Sequence, residues 1–406
     1  MKIALFGNIC NNMYNIAKAL RTDSAFDAHL YLEDPIDIQN QPESEDPQLK
    51  NNYPHWIHRN KKFNPLIFIK KRDRTFINEL NKHDVVILSH IGVTLIPYLK
   101  NKTVFYVTGG DLTRIPFPVK FSFLYKNLLN KFTAYILGYY QRKGIQHAGE
   151  IWTQPFYPFV NALKEIKVNP EQIKNVYFPV IIDTESVKYK ADHLSRLDNM
   201  IKDQLAPFKF IIFHPSRMMI KKNQALVDSG QWKQNEILFY AFALFIKKYK
   251  INDACIMIPE RGYSNDAVVA KKIIADLGID KNIIWIKGRT NEGFTKPEMV
   301  DLYSISNAVV DEFGVGWFGS IVLEGLACSK PVICNIDDKV MKQLYDWHPI
   351  ISVNTPETVC DIIYKLYTDP GYCKSLGEKG REWILTYHSP ENVAKKYITE
   401  LQQLVK

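Results

Sequence analysis

The 406-residue sequence lacks three features that would each define a class of protein. Its six cysteines include no Cys-x-x-Cys pair, which argues against a zinc site and a disulfide framework and favours a reducing cytoplasm. No run of about 18 apolar residues occurs, so we expect no membrane-spanning helix. The first residues, Met1 to Gly7, are typical of a buried strand rather than of a secretory signal. We therefore expect a cytoplasmic protein.

Acidic residues are scarce in one segment, Lys100 to Gly149, where Asp111 is the only one. Aromatic and leucine side chains alternate there with basic ones, which are Lys100, Lys102, Arg114, Lys120, Lys126, Lys131, Arg142 and Lys143. Such a mixture suits peripheral contact with an anionic membrane, here the inner face of the cytoplasmic membrane. A helix with one core face and one solvated basic face explains it equally well. We do not expect nucleic acid as a partner, because no nucleic-acid-binding module accompanies the charge.

Alternating strands and helices indicate an α/β fold. A chain of this length exceeds the roughly 250 to 300 residues at which one core usually divides, so two domains are expected. Apolar strand patterns alternate with amphipathic helices in the first half, and the same rhythm restarts at Phe208. It predicts two Rossmann-like, doubly wound domains, with ligands outside the carboxyl ends of the strands. We place them at residues 1–185 and 186–388, with a helix at 389–406 that packs back towards the first domain.

The run from Asp311 to Ile333 is the most informative segment. It joins a glycine-rich loop to an apolar helix and then to a short β-branched strand. The N–H groups of Gly319 and Ser320 would begin the helix and face an anion, while Glu324, one turn further in, would accept hydrogen bonds from sugar hydroxyls. This layout predicts a nucleotide site.

Three ordered motifs together carry a resemblance to a known family. The first is the Asp311 to Ile333 run, with Leu-Glu-Gly-Leu-Ala-Cys followed by Lys-Pro-Val-Ile. The second is His214-Pro-Ser-Arg217, followed by Lys233 eight residues before Ala241. Lys222 has the family's usual short spacing from Arg217, but the helix after Lys233 keeps the family register, so we prefer Lys233 and treat Ile220 to Trp232 as a loop insertion. The third is the interdomain stretch Phe178 to Thr184. In this order, the three motifs resemble retaining glycosyltransferases of the GT-B fold, family 4.

The resemblance implies two domains facing each other across a cleft and transfer of a sugar from a nucleotide diphosphate. Arg217 and Lys233 would stabilise the leaving phosphates, so alanine at either is expected to abolish transfer and leave the fold intact. Glu324 would hold the ribose, and the donor site would be completed by Gly319, Ser320, Phe318, Glu312 and Gly288. We expect no cofactor and no metal, since neither Glu33-Asp34 nor Asp337-Asp338 has the context of a divalent-cation motif.

One position departs from the family pattern. The family carries two glutamates separated by seven residues, yet Gly316 stands eight positions before Glu324. Glu312 is a candidate replacement for the missing carboxylate. The departure leaves the identity of the sugar open and also keeps open a member of the fold that binds a nucleotide sugar without catalysis.

The acceptor is expected on the N-terminal domain. Candidate residues follow predicted strands there: Asn8, His90, Gly110 and Asp111, the last as a catalytic residue that would orient an acceptor hydroxyl or the reacting sugar. In the family the leaving phosphate takes the acceptor's proton, so no protein nucleophile is required. The implied acceptor is a glycan or lipid-linked glycan of a cell-surface polysaccharide, such as capsule or lipopolysaccharide. A nucleotide-sugar epimerase of the same architecture is the alternative enzyme.

Overall fold

The computed structural model describes residues 1–33, 40–50, 52–59, 74–174, 180–260, 265–288 and 293–405. The chain forms two compact units, Met1–Ile181 with Pro390–Lys406, and Ile182–Ser389. The first boundary falls four residues before the end predicted for the first domain, and the second falls one residue into the predicted terminal helix. Of the interdomain motif, Phe178 and Pro179 lie outside the described residues. No helix in the described part of the chain combines the length and apolarity that a bilayer crossing requires.

The first unit is built on a parallel sheet of seven described strands. Its strand order is β3-β2-β1-β4-β5-β6-β7. Leu5 of the interior strand β1 lies opposite Leu30 and Ile87, and all three side chains are buried. The strands are β1 (Lys2–Phe6), β2 (Asp27–Leu32), β3 (Ile57–Arg59), β4 (Val85–Leu88), β5 (Lys102–Tyr106), β6 (Glu150–Trp152) and β7 (Ile173–Lys174). Its helices are α1 (Asn12–Leu20), α2 (Arg74–Leu80), α3 (Gly110–Thr113), α4 (Leu128–Gln146) and α5 (Tyr157–Ile166), with a 3-10 segment at His90–Tyr98.

A terminal helix completes the core of this first unit. It spans Pro390–Val405, and it buries Val393, Ala394, Tyr397 and Leu401 in the cluster formed by helix α1 and the strands of the first unit. The Tyr397 ring lies 5.9 Å from the Trp152 ring and 6.5 Å from the Tyr106 ring. The last described residues are therefore part of the same core as the first strand.

The second unit is built on a parallel sheet of five described strands in the order β10-β9-β8-β11-β12. These are β8 (Phe210–Phe213), β9 (Ala254–Pro259), β10 (Ile283–Ile286), β11 (Ala308–Val310) and β12 (Val332–Ile333). Its helices are α6 (His193–Arg196), α7 (Asn199–Leu205), α8 (Gln224–Asp228), α9 (Glu236–Tyr249), α10 (Asn265–Leu277), α11 (Lys296–Ile305), α12 (Ser320–Ala327), α13 (Asp338–Leu344), α14 (Pro356–Thr368) and α15 (Pro370–Tyr387). The terminal helix Pro390–Val405 is α16. Short strands buried on both faces account for the near-continuous apolar runs of the sequence.

Candidate functional site

Lys233 lies at the carboxyl end of strand β11, beside a buried acid. Its Nζ donates to Oδ1 of Asp311 at 3.1 Å, and the Ser216 hydroxyl donates to the same oxygen at 2.8 Å. Asp311 follows β11 directly, and Ser216 follows β8, the neighbouring strand. Ligands of open parallel sheets bind outside this edge. The sequence predicted Lys233 for the site but did not predict that Asp311 would hold it.

The segment that carries Lys233 packs on the loop after β11. The N–H of Phe313 donates to the Lys233 carbonyl at 2.9 Å. A Cβ on Gly314 would lie 2.3 Å from the Trp232 carbonyl oxygen, so only glycine allows this approach. Lys222 is exposed, with its Nζ 5.2 Å from the centre of the Trp232 ring. The predicted loop insertion contains the five-residue helix α8, and Arg217 lies exposed after β8.

A buried polar pair supports the same strand ends. His214 Nδ1 lies 2.9 Å from the Val310 carbonyl oxygen, which can only accept, so this nitrogen carries the proton. Nε2 then accepts from Asn235 Nδ2 at 3.2 Å, and Asn235 Oδ1 accepts from the Met219 N–H at 2.7 Å. His214 and Asn235 are fully buried. The sequence analysis did not predict that His214 and Asn235 would pair. A signal for it was present, because each is a polar residue next to an otherwise apolar strand or helix.

Glu312 is buried and holds the glycine-rich loop. Its Oε2 accepts from the N–H groups of Gly314 at 3.0 Å and Val315 at 2.6 Å. Burial raises the pKa of Glu312 to about 8, and the neighbouring Asp311 adds to the shift, while Lys233 opposes it. The carboxylate is thus directed into the loop. Gly316, where the family's first glutamate would stand, has a φ of 77°, and a Cβ there would meet no atom within 4 Å.

The start of helix α12 is exposed to solvent, and its second turn carries a buried acidic residue. Gly319 and Ser320 are exposed, and a Cβ on Gly319 would also meet no atom within 4 Å. Glu324 is buried; Lys296 forms an ion pair with its Oε1, and the Tyr303 hydroxyl donates to its Oε2 at 3.0 Å. Burial and this carboxylate raise the pKa of Tyr303 well above its usual value. Sequence reasoning missed Lys296, the first residue of α11.

Two further predicted donor residues have different surroundings. Phe318 is buried in an aromatic cluster, stacked on Trp317 and 6.0 Å from the Trp383 ring, so its side chain packs in the unit's interior. Gly288, after β10, lines a cavity of about 320 Å³ together with Trp285 and other residues of the second unit. A Cβ on Gly288 would lie 2.3 Å from a backbone oxygen, so the close approach requires glycine.

Asp111 in the first unit is buried and surrounded by hydrogen-bond donors. Its oxygens accept from the Thr108 N–H and hydroxyl, the Gly109 N–H and the His90 N–H at 2.8–3.2 Å. Burial raises its pKa, and these hydrogen bonds oppose the shift. The carboxylate therefore ties the loop after β5 to the loop after β4. Gly110 begins the short helix α3 beside it.

His90 and Asn8 are the other acceptor candidates. His90 has a φ of 52°, burial lowers its pKa, and its Nδ1 has no hydrogen-bond partner among the described residues. Asn8 is buried; its Nδ2 donates to Asn11 Oδ1 and the Asn40 carbonyl, and its Oδ1 accepts from the Tyr14 N–H. The structure thus uses Asn8 to hold the loop after β1.

Within the described ranges, no group of three or more His, Cys, Asp or Glu side chains is arranged to hold a metal ion. Asp337 caps α13 by accepting from the Lys339 N–H at 2.9 Å, and Asp34 lies outside the described residues.

Comparison with known proteins gives similarity at the level of structure. No family model and no curated protein sequence matches the chain. HepE from Anabaena, solved with UDP-glucose, matches with a TM-score of 0.65 at 15% identity, covering 99% of this chain and 100% of that one. A glycosyltransferase from Rickettsia africae gives 0.66 at 16% identity, with 100% and 98% covered. Sucrose-phosphate synthase from Thermosynechococcus elongatus gives 0.64 at 13%, with 100% and 99% covered. The predicted fold is therefore confirmed: the chain consists of two parallel-sheet α/β domains and has the GT-B fold of these structures.

Proposed function

We propose that this protein is a retaining glycosyltransferase that takes its sugar from a nucleotide diphosphate. The observation that carries the proposal is the cation Lys233 at the strand ends of the second unit, on a segment packed against the loop that leads into α12. That loop ends at Gly319 and Ser320, which are both exposed, and the N–H groups and dipole at the start of a helix favour a phosphate. The resemblance of the sequence to family 4 supports the same assignment.

Charge on the leaving diphosphate is the main electrostatic demand of the reaction. The bond between the sugar and the diphosphate oxygen breaks, and a bond from the sugar to the acceptor oxygen forms on the same face. The acceptor's proton passes to the departing phosphate, so atoms balance without a protein nucleophile. Lys233, Arg217 and the N–H groups at the start of α12 would stabilise the developing charge without a metal.

Glu324 would accept hydrogen bonds from the ribose hydroxyls. Its two oxygens are engaged by Lys296 and Tyr303, so the ribose would share these oxygens or replace the lysine. A carboxylate already held by two donors is oriented for this task, because its rotamer is fixed before the ligand arrives.

The acceptor would be a glycan or lipid-linked glycan of a cell-surface polysaccharide, bound by the first unit. His90 is the residue there best suited to bind it, because its Nδ1 is unsatisfied among the described residues. Asp111 would act by positioning, since its hydrogen bonds fix the His90 backbone.

Binding of UDP, GDP and dTDP, measured by titration calorimetry, tests the donor site. Arg217→Ala should weaken the preferred nucleotide about 10- to 100-fold, because a hydrogen bond to a charged group contributes roughly 1.5–3 kcal/mol. Glu324→Gln should weaken it by a similar factor. Lys222→Ala is the matched control, an exposed cation on the same connection, and should change affinity less than about twofold.

The same nucleotides as sugar donors, incubated without acceptor, test the reaction. Slow release of free nucleotide diphosphate supports transfer. Formation of an epimer would overturn the proposal in favour of the epimerase, and binding without any turnover, even with glycan acceptors, would identify a non-catalytic nucleotide-sugar binder. Unchanged affinity in both Arg217→Ala and Glu324→Gln would refute the site itself.

A further inference from the structure

Helix α4 begins with an exposed apolar surface. None of its first ten residues is buried. Leu128 is 83% exposed, Leu129 71% and Phe132 63%, and Tyr135 and Tyr139 are also exposed. An ordinary surface helix shows polar residues to solvent, so this one presents the kind of surface that is usually covered.

Four of these five exposed apolar residues form one stripe. At 3.6 residues per turn, positions 128, 132, 135 and 139 fall within about 60° of one another. The opposite side of the helix is the packed one, where Gly138, Gln141, Gly144 and Ile145 are buried. A Cβ on Gly144 would lie 2.0 Å from a backbone oxygen of Val93. The buried face is thus fixed against the body of the first unit, and the apolar stripe points away from it.

The chain just before the helix also carries exposed apolar side chains. Val119, Phe123 and Leu124 are exposed, and Asn127 then caps α4 by accepting from the Asn130 N–H at 2.8 Å. Eight of the nineteen exposed large hydrophobic side chains of the described residues fall between positions 119 and 139. We call residues 119–139 the apolar edge.

Positive charge surrounds the apolar edge. Residues 112–149 contain six Lys or Arg and no Asp or Glu. Lys131, Arg142 and Lys143 lie within about 70° of the centre of the stripe on the helix. Lys126 and Lys131 form no ion pair within the described ranges, whereas Lys120 pairs with Glu165, outside the segment. Apolar side chains flanked by unpaired cations match a surface that is anionic outside and apolar beneath.

We propose that the apolar edge docks on an anionic lipid bilayer, with α4 lying along the interface. Leu128 and Phe132 would enter the acyl boundary, and Lys126 and Lys131 would contact headgroup phosphates. A second copy of the chain fits less well, because a two-fold contact would place the same six cations against each other. The inference goes beyond the proposed transfer activity, since it concerns a different unit and can be measured without any sugar.

Sedimentation with phosphatidylcholine vesicles, with and without phosphatidylglycerol, tests the proposal on the full chain. Wild type should bind the anionic vesicles selectively. Lys126→Gln with Lys131→Gln should lower the partition coefficient about 30-fold, since each basic residue near the surface contributes roughly fivefold. Leu128→Ser with Phe132→Ser should lower it at least about tenfold.

Matched controls come from exposed positions of the second unit. Leu194→Ser with Tyr240→Ser controls for lost apolar surface, and Lys339→Gln with Lys342→Gln controls for lost charge; both should bind within about twofold of wild type. Arg217→Ala should also bind normally, which separates failure of docking from failure of the donor site. Melting temperatures confirm folding.

Three results would overturn the proposal: no binding of wild type to anionic vesicles, equal binding to neutral ones, or equal losses in the controls. Light scattering adds a fourth, a dimer that Leu128→Ser with Phe132→Ser dissociates, which would assign the edge to self-association.

Discussion

Replacing Lys233 by alanine should destabilise the second unit as well as weaken nucleotide binding. The Asp311 side chain is 3% exposed and has two described partners, Lys233 Nζ and the Ser216 hydroxyl. Without the lysine, a buried carboxylate keeps one neutral donor and no counter-charge. This burial revises the sequence-based expectation that the variant would leave the fold intact.

The magnitude follows from the burial of the two partners. Removing one member of a buried ion pair costs about 3–5 kcal/mol. The Lys233 side chain is 19% exposed, so water can enter part of the vacated space, and we expect the lower end, about 3 kcal/mol. For a unit of about 200 residues, 1 kcal/mol shifts the Tm by about 2–4 °C, so the expected fall is about 6–12 °C.

A double-variant cycle measures this directly. Asp311→Asn removes the charge that Lys233 compensates and retains an acceptor for Ser216, so the double variant should recover most of the lost Tm, with a coupling energy of about 2 kcal/mol. Nucleotide binding should stay weak in the double variant, because its phosphate cation is still missing. Lys222→Ala, scanned in parallel, should shift the Tm by less than about 2 °C.

A Tm for Lys233→Ala within about 1 °C of wild type would refute the electrostatic argument, as would additive effects in the cycle. Normal nucleotide affinity in the stable double variant would refute the phosphate assignment and leave the structural one intact.

Three other substitutions test the glycine-rich loop. Because burial raises the pKa of Glu312 to about 8, the folded state retains a proton that the unfolded chain loses near pH 4.5. The stability of the wild type should therefore fall as the pH rises from about 5 to 8. Measured by denaturant unfolding over this range, Glu312→Gln should gain about 4 kcal/mol of stability relative to wild type. Gly314→Ala should cost at least about 2 kcal/mol of stability by the same measurement, because its Cβ would collide with the Trp232 carbonyl. Gly319→Ala should leave stability nearly unchanged, because its Cβ would enter open space at the start of α12. The same Cβ should weaken nucleotide binding.

Each of these predictions would be contradicted by one particular result. A stability difference between Glu312→Gln and wild type that does not vary with pH would show that Glu312 is ionised throughout. Equal stability losses in the two glycine variants would contradict the contrast between a crowded and an open position. Unchanged nucleotide affinity in Gly319→Ala would place the phosphate elsewhere.

Much of the fold was predictable because strand and helix patterns here are long and regular. The helix expected after Lys233 is observed at Glu236–Tyr249, and the buried strand expected within Met1 to Gly7 is observed at Lys2–Phe6. Helix α8 was missed because five residues carry too little of a 3.6-residue period to be recognised.

The sequence predicted which residues belong to the candidate site but not the contacts that they make. A polar residue that follows a strand has the same sequence pattern whether its side chain faces a ligand or the protein interior. Asp111 and Asn8 illustrate this, since each has one hydrogen-bond partner on a loop that only the fold brings near: the His90 N–H for Asp111 and the Asn40 carbonyl for Asn8. Lys296 is likewise 28 positions away from the Glu324 that it pairs with. Spacing along the chain cannot encode such contacts.

The terminal helix α16 has a consequence for the order in which the protein can fold during synthesis. Its buried face, including Tyr397 and Leu401, fills the core beneath β1, so the first unit is incomplete until residues beyond Pro390 have been translated. The whole second unit is made in between, which takes roughly 10–40 s at about 5–20 residues per second. The first unit is thus synthesised first but completes its folding last. Until α16 has been made, one apolar face of its sheet remains uncovered.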